Sequence, residues 1–228
     1  MTYDATNLII KSDNNTMDLH SNKRLGIDEL LQLKQKEADV VARIPIDDSY
    51  PRAVDMILEH VHRRGGKLIL SGMGKAGQIA ANIATTFCST GSPAIFLHPS
   101  EAQHGDLGII CPDDLLILIS NSGKTREIIE IVDLVERLHP GIPYICITGN
   151  ASSELAKRAT ITLCTGAPEE ICPLGLTPTT STTAMTVIGD LLVVSTMTAI
   201  DFTYTDYSKR HHGGYLGAVS RDRSSREK

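Results

Sequence analysis

The 228-residue sequence contains no tryptophan and only three phenylalanines. Aromatic platforms on which bases or sugar rings could stack are therefore scarce. An excess of positive charge is missing too: 22 Lys and Arg stand against 27 Asp and Glu, for a net charge of −5. A nucleic-acid binder would need a basic face, so no nucleic-acid partner is expected. A small anion stays open as a ligand, because a site on an acidic protein can be locally positive. No C-x-x-C pair occurs among the five cysteines, and their number is odd. Cys88, Cys111, Cys146, Cys164 and Cys172 read as reduced, mostly buried thiols of a cytoplasmic protein. Met1 to Asn15 has no basic start and no long apolar stretch, so no signal peptide is read there. No run reaches the roughly 18 apolar residues that suggest a membrane span. Val187 to Val194 comes nearest, but Gly189 and Asp190 interrupt it. What is present is a chain 41% hydrophobic and 21% charged, long enough for a sizeable core.

Along that chain, a polar leader gives way at Ile27 to helical apolar spacing through Leu30, Leu31, Leu33, Ala38 and Val41. Asp47-Asp48-Ser49 offers capping side chains for a second helix through about His62, with Pro51 in its first turn. Short apolar runs then alternate with helical segments. Strands are expected over 67–71, 93–98, 115–120, 143–148 and 160–164, and helices over 74–88, 125–138 and 153–158. Ile128, Ile131, Val132, Val135 and Leu138 form the buried stripe expected of the second of these helices. A long apolar helix is expected from Thr182 to about Ile200. This alternation predicts an α/β fold with a mainly parallel sheet covered on both faces, whose ligands bind at the carboxyl ends of the strands.

Ser120-Asn121-Ser122-Gly123-Lys124-Thr125 stands at one such end. A buried strand empties there into a hydroxyl-rich turn that opens a helix. Helix N-termini offer unpaired N–H groups and partial positive charge, and the hydroxyls of Ser120, Ser122 and Thr125 add donors. Gly123 lets the backbone approach closely. The pattern is a phosphate cradle. Gly72-Met73-Gly74-Lys75-Ala76-Gly77 fits G-x-G-x-x-G after a strand, but no acid ends the next strand, and Lys75 suits a phosphate or sugar oxygen. Ser71 and Gly72, at the end of that first strand, join the candidate substrate contacts. His98 to Asp106 gathers His98, His104 and Asp106, whose spacing falls on no single helical face, so a substrate role for His104 is favoured over a metal. Glu127 follows two residues after Thr125, and Glu169-Glu170 precedes Cys172-Pro173-Leu174-Gly175. Five successive hydroxyls, Thr179 to Thr183, exceed what an N-cap needs and read as aimed at a polar ligand, Thr179 and Thr180 foremost.

These segments together resemble the sugar isomerase (SIS) domain family and, within it, the arabinose 5-phosphate isomerases. The stretches that carry the resemblance are GMGKAG (72–77), FCSTG (87–91), HPSEAQHGDLG (98–108), ISNSGKTREI (119–128), ITGN (147–150), CPLGLTPTTSTT (172–183) and HHGGYLG (211–217). The resemblance implies a three-layer α/β/α sandwich around a five-stranded parallel sheet, and a homotetramer with active sites at subunit interfaces. It implies interconversion of D-arabinose 5-phosphate and D-ribulose 5-phosphate, the supply step for Kdo of lipopolysaccharide. Lys75, His104, Glu127, Glu170 and His211 take the family's functional positions, with His212 an alternative to His211. Residues 1–24 are then a flexible leader, 25–217 the isomerase domain and 218–228 a loose charged tail. Many family members carry two CBS modules after this domain, and control through them is not expected here.

That chemistry removes a proton α to a carbonyl, passes through a cis-enediol and returns the proton to the neighbouring carbon. It requires no cofactor and no metal. Ser120, Asn121, Ser122, Gly123 and Thr125 would hold the phosphate with Lys75 nearby. Glu127 or Glu170 would be the base, its pKa raised by burial or a neighbouring negative charge. His104 or His211 would assist ring opening or proton transfer between oxygens. A sugar-phosphate sensor, or an SIS isomerase for another sugar phosphate, is the alternative.

Overall fold

Five short strands, each with almost no polar side chain, pair into one parallel sheet. They are β1 (Leu68–Gly72), β2 (Ala94–Phe96), β3 (Leu115–Ile119), β4 (Tyr144–Thr148) and β5 (Ile161–Cys164). The computed structural model describes residues 24–226. Every residue of β1, β3 and β4 is buried, which explains why these runs lack the polar alternation of a half-exposed strand. The order across the sheet is β2-β1-β3-β4-β5. Successive strands thus grow outward in opposite directions from the β1–β3 pair. At such a switch point the flanking connections leave on opposite faces, and a crevice opens at the carboxyl ends.

Helices cover both faces. On one, Leu70, Ile117, Ile119 and Ile147 pack against side chains of α2 (Ser49–Ile57), α3 (Gly74–Ser89) and α7 (Thr180–Ala199), among them Ile57, Phe87, Ile188 and Leu192. On the other, Ile69, Leu116, Leu118 and Cys146 meet Ile128, Ile131, Val132 and Val135 of α5 (Arg126–Leu138) and Leu155 of α6 (Glu154–Arg158). The fold is therefore the three-layer α/β/α sandwich expected. Leu138 departs from its expected place: in the last turn of α5, before the stop at His139, it is 44% exposed.

The remaining elements frame this sandwich. α1 (Ile27–Ala42) buries none of its residues, and Ile27, Leu30 and Leu31 are exposed. α2 runs on into a π-helical turn over Leu58–Arg63, and α4 (Pro99–Ala102) with a 3-10 turn over Asp106–Ile109 links β2 towards β3. α8 (Tyr204–Arg210) and α9 (Gly214–Arg226) pair after α7. The tail expected to be loose from residue 218 is helical through Arg226, held by Ser224 Oγ against Thr205 Oγ1 at 2.7 Å and by an Arg223 hydrogen bond to the Tyr204 hydroxyl at 2.8 Å. The leader expected over 1–24 lies outside the described residues except for its last position.

The folded chain bears on two expectations from composition. α7 is 20 residues long with a mean hydropathy of 1.3, enough by length and composition to cross a membrane. Its packing assigns it otherwise, since Ala184, Met185, Ile188, Leu192 and Val193 belong to the core. Of the cysteines expected to be mostly buried, only Cys146 is; Cys88 and Cys111 are exposed and Cys164 and Cys172 half-buried, all as free thiols. Apolar neighbours in sequence do not decide burial where a residue sits at an element's end or on its outer face, as Cys88 does on α3.

Candidate active site

The ladder of β3 continues one residue past the strand, where the Ser120 N–H donates to the Ile147 carbonyl at 3.1 Å. The chain then turns on itself. The Gly123 N–H donates to both the carbonyl and the Oγ of Ser120, at 3.1 Å each, and Ser120 Oγ meets Thr125 Oγ1 at 2.7 Å. The Lys124 N–H is drawn to Ser122 Oγ at 3.2 Å. Gly123 holds φ +62°, and a Cβ placed there would collide with the Ser153 side chain, so this turn accepts only glycine. Asn121 uses its carbonyl to accept from Gly149 N–H at 3.0 Å and Thr148 Oγ1 at 3.2 Å, pinning the turn to the end of β4. Thr125 is the N-cap of α5 without a side-chain cap bond, which leaves first-turn amides of that helix open to an anion.

Close packing brings the neighbouring turn to the same place. A Cβ on Gly72 would stand 2.8 Å from the Ala76 carbonyl oxygen, and one on Gly77 would strike the Gly72 carbonyl. Both glycines thus let α3 start directly on the end of β1. Lys75 and Ala76 in consequence wall a cleft of about 280 Å³ with Ser120, Asn121, Ser122 and Thr125. The cleft lies where the switch point predicts, between the ends of β1 and β3.

α7 closes the third side. Ser181 and Thr182 line the cleft; both belong to the hydroxyl run that the sequence singles out, though not to its foremost pair. That pair, Thr179 and Thr180, is occupied elsewhere. Thr180 is fully buried and donates to the Glu169 carbonyl at 2.7 Å; Thr179 Oγ1 donates to Glu170 Oε2 at 2.9 Å and accepts from the Ile171 N–H. The helix begins at Thr180 rather than Thr182, so the hydroxyls two residues further along reach the cleft. Ser71 is likewise committed: fully buried, it donates to the Leu97 carbonyl at 2.7 Å and ties β1 to the end of β2.

The two glutamates differ. Glu127 is half-buried in the first turn of α5 and, among the described residues, its carboxylate has no hydrogen-bond partner. Glu170 Oε2 accepts from the Thr179 N–H at 2.6 Å and the Ser181 N–H at 3.4 Å as well as from the Thr179 hydroxyl at 2.9 Å. Partial burial works against its charge, but the hydrogen bonds from Ser181 and Thr179 outweigh it and hold its pKa below the ordinary glutamate value. The raised pKa expected of a glutamate base is therefore not found at Glu170.

The histidines stand apart from the cleft in this one chain. His104 is exposed in the turn after α4. His98 caps α4 by accepting the Ser100 N–H at 3.2 Å on Nδ1, and no three His, Cys, Asp or Glu side chains group to hold a metal ion among the described residues. His211 ends α8, stacked on Tyr207 at 3.8 Å between ring centres, with Nδ1 3.1 Å from the Tyr207 carbonyl; His212 is exposed. A larger cavity, about 680 Å³, opens between α1 and the 165–172 segment, past Lys36, Arg43, Glu169, Glu170 and Cys172.

Comparison with known proteins agrees with this geometry. The SIS domain family matches residues 62–195. Arabinose 5-phosphate isomerase KdsD of Yersinia pestis is 45% identical over 188 residues, which is 82% of this chain and 56% of that protein. The chain spans about half the length of the curated relatives it matches. A Bacteroides fragilis structure, described as a candidate phosphosugar isomerase involved in capsule formation, is 63% identical with a TM-score of 0.82, covering 83% of this chain and 98% of that one. An Escherichia coli CFT073 protein solved in complex with A5P is 31% identical with a TM-score of 0.74, covering 82% of this chain and 100% of that one. Since the matched stretch carries both turns of the cleft and the first turns of α7, the chain belongs to the SIS domain family.

Proposed function

We propose that this protein is an aldose–ketose isomerase that interconverts D-arabinose 5-phosphate and D-ribulose 5-phosphate, and so supplies the Kdo branch of lipopolysaccharide synthesis. The observation that carries the reading furthest is the 45% identity to a protein named arabinose 5-phosphate isomerase. The A5P-bound relative and a cleft sized for one small phosphorylated sugar support it. In this reading Ser120, Ser122 and Thr125, with Gly123 shaping the turn, hold the phosphate at the N-terminus of α5. Lys75 stands at the same end of the cleft and offsets the anion's charge. The sugar then extends from the phosphate towards Ser181 and Thr182. A carboxylate removes the C2 proton to form the cis-enediol and returns it to C1, and a second group carries protons between O1 and O2.

The active unit is a homotetramer in the cytoplasm. Two features support assembly. Among the described residues, Ile27, Leu30 and Leu31 of α1 stay exposed to solvent. His104 and His211 line no part of their own chain's cleft, so a neighbouring copy is the means by which either would reach a substrate.

The test is turnover with a panel of pentose, hexose and heptose phosphates. Conversion of arabinose 5-phosphate to ribulose 5-phosphate, with solvent deuterium entering C1 of the ketose, is the expected result. Tight binding of sugar phosphates without turnover would instead identify a sensor. Turnover confined to a hexose or heptose phosphate would reassign the substrate.

A further inference from the structure

We infer that Glu170 is a positioning residue rather than the proton-abstracting base: its carboxylate anchors the N-terminus of α7 and thereby sets where Ser181 and Thr182 stand in the cleft. The start of α7 lacks what a helix start ordinarily has. Its N-cap Thr179 makes no side-chain cap bond, its first turn carries no acidic residue, and the Thr179 hydroxyl is turned to the Ile171 N–H and to Glu170. A helix of 20 residues nonetheless begins there with orphan amides to satisfy. Glu170 satisfies two of them from nine residues earlier in the chain, its Oε2 accepting from the backbone amides of Thr179 and Ser181 and from the hydroxyl of Thr179. Its negative charge also complements the helix dipole.

The same bonds disqualify Glu170 as a strong base. Proton abstraction is most efficient when the base's pKa lies near the working pH. Donors that favour the ionised form move Glu170 the other way. Glu127 has no hydrogen-bond donor on its carboxylate among the described residues. The kinetic part of this inference rests on the isomerase reading; the anchoring part does not.

Glu170→Gln and Glu170→Ala separate the roles. The amide oxygen of Gln can accept the same bonds, whereas Ala removes them. In Glu170→Gln, amide hydrogen exchange over 179–185 stays slow, kcat for arabinose 5-phosphate stays within roughly threefold and the acid limb of the kcat–pH profile is unmoved. In Glu170→Ala those amides exchange faster and KM rises roughly tenfold, more than kcat falls. A Glu170→Gln variant with intact protection but a kcat down by roughly a thousandfold would overturn the proposal, as general-base loss predicts. Unchanged protection in Glu170→Ala would overturn it as well. Should the alanine variant not fold, the glutamine variant still decides between base and anchor. Should the wild-type protein not turn over arabinose 5-phosphate, the isomerase reading fails while the exchange measurement still reads the anchor.

Discussion

Ser120 Oγ and Thr125 Oγ1 stand 2.7 Å apart and join the end of β3 to the start of α5. The contact orients both hydroxyls before any ligand arrives, and the Gly123 N–H on Ser120 Oγ holds the first of them further. Thr125→Val and Ser120→Ala each remove one hydroxyl. Each is expected to raise KM for the sugar phosphate roughly tenfold, equivalent to the loss of about 1.5 kcal/mol of hydrogen bonding to a charged group. Inhibition by inorganic phosphate should weaken in parallel. If both variants keep wild-type KM and phosphate inhibition, the cradle lies elsewhere.

Gly123→Ala carries two costs, a positive φ and a collision with Ser153. Gly141, at φ +80° with nothing within 4 Å of where a Cβ would stand, carries only the first. Gly141→Ala is expected to lose about 1 kcal/mol and Gly123→Ala about 3 kcal/mol or more. Urea melts of the two proteins measure the difference. Equal destabilisation would mean that the Ser153 contact gives way freely.

Asp114 is the buried anchor of the sheet's other end. Its side chain is 1% exposed and accepts from Lys67 Nζ at 2.7 Å, the Lys67 N–H at 2.9 Å and the Cys111 N–H at 2.7 Å. Asp114→Ala strands those donors and is expected to cost about 3–5 kcal/mol. Burial tends to lower the Lys67 pKa, but the hydrogen bond and attraction of Asp114 outweigh it and raise it above the ordinary 10.5. A raised lysine stabilises the fold fully below its unfolded value and loses that contribution as pH rises through the folded one. The stability advantage of wild type over Lys67→Met should therefore persist to about pH 10 and shrink above it. An advantage independent of pH through that range would contradict the pairing.

Cys172 differs from the other thiols. Hydrogen bonds from the backbone and side chain of Thr177, then from the Leu176 N–H, bring its pKa down to about 7. Burial first, and the neighbouring Cys164 second, push Cys146 up to about 12. Iodoacetamide should label Cys172 with a rate that climbs through pH 7 and leave Cys146 intact in the folded protein. A Cys172 rate that climbs only near pH 8.5, as for a free thiol, would contradict the loop geometry.

Much of the fold is legible locally. β3 and β4 are bare apolar runs because both faces are covered, and α5 shows its stripe because only one is. The Ser120 turn is legible for the same reason: its hydroxyls, its glycine and the helix start are consecutive. The α7 start is misplaced by two residues because Thr and Ser serve equally as caps, as buried donors and as ligand contacts, and composition does not separate these uses. With the helix starting at Thr180, Ser181 and Thr182 of the hydroxyl run line the cleft while Thr179 and Thr180 bond to the 169–171 segment. Ser71 donates to the Leu97 carbonyl, a use that a hydroxyl at a strand end does not announce in the sequence.

The amino-acid sequence by itself determines the alternation of strands and helices, the parallel sheet and the cradle at Ser120, because these depend on neighbours within a turn or two. Tertiary structure alone decides the strand order β2-β1-β3-β4-β5, and with it the pairing of Lys75 with the Ser120 turn across the switch point. It alone decides that Glu170 holds the start of α7. Local periodicity records which face of an element is buried, but not which element covers it. Contacts such as Glu170 with Ser181, eleven residues apart and joined through a loop, exist only once the chain has closed around its core.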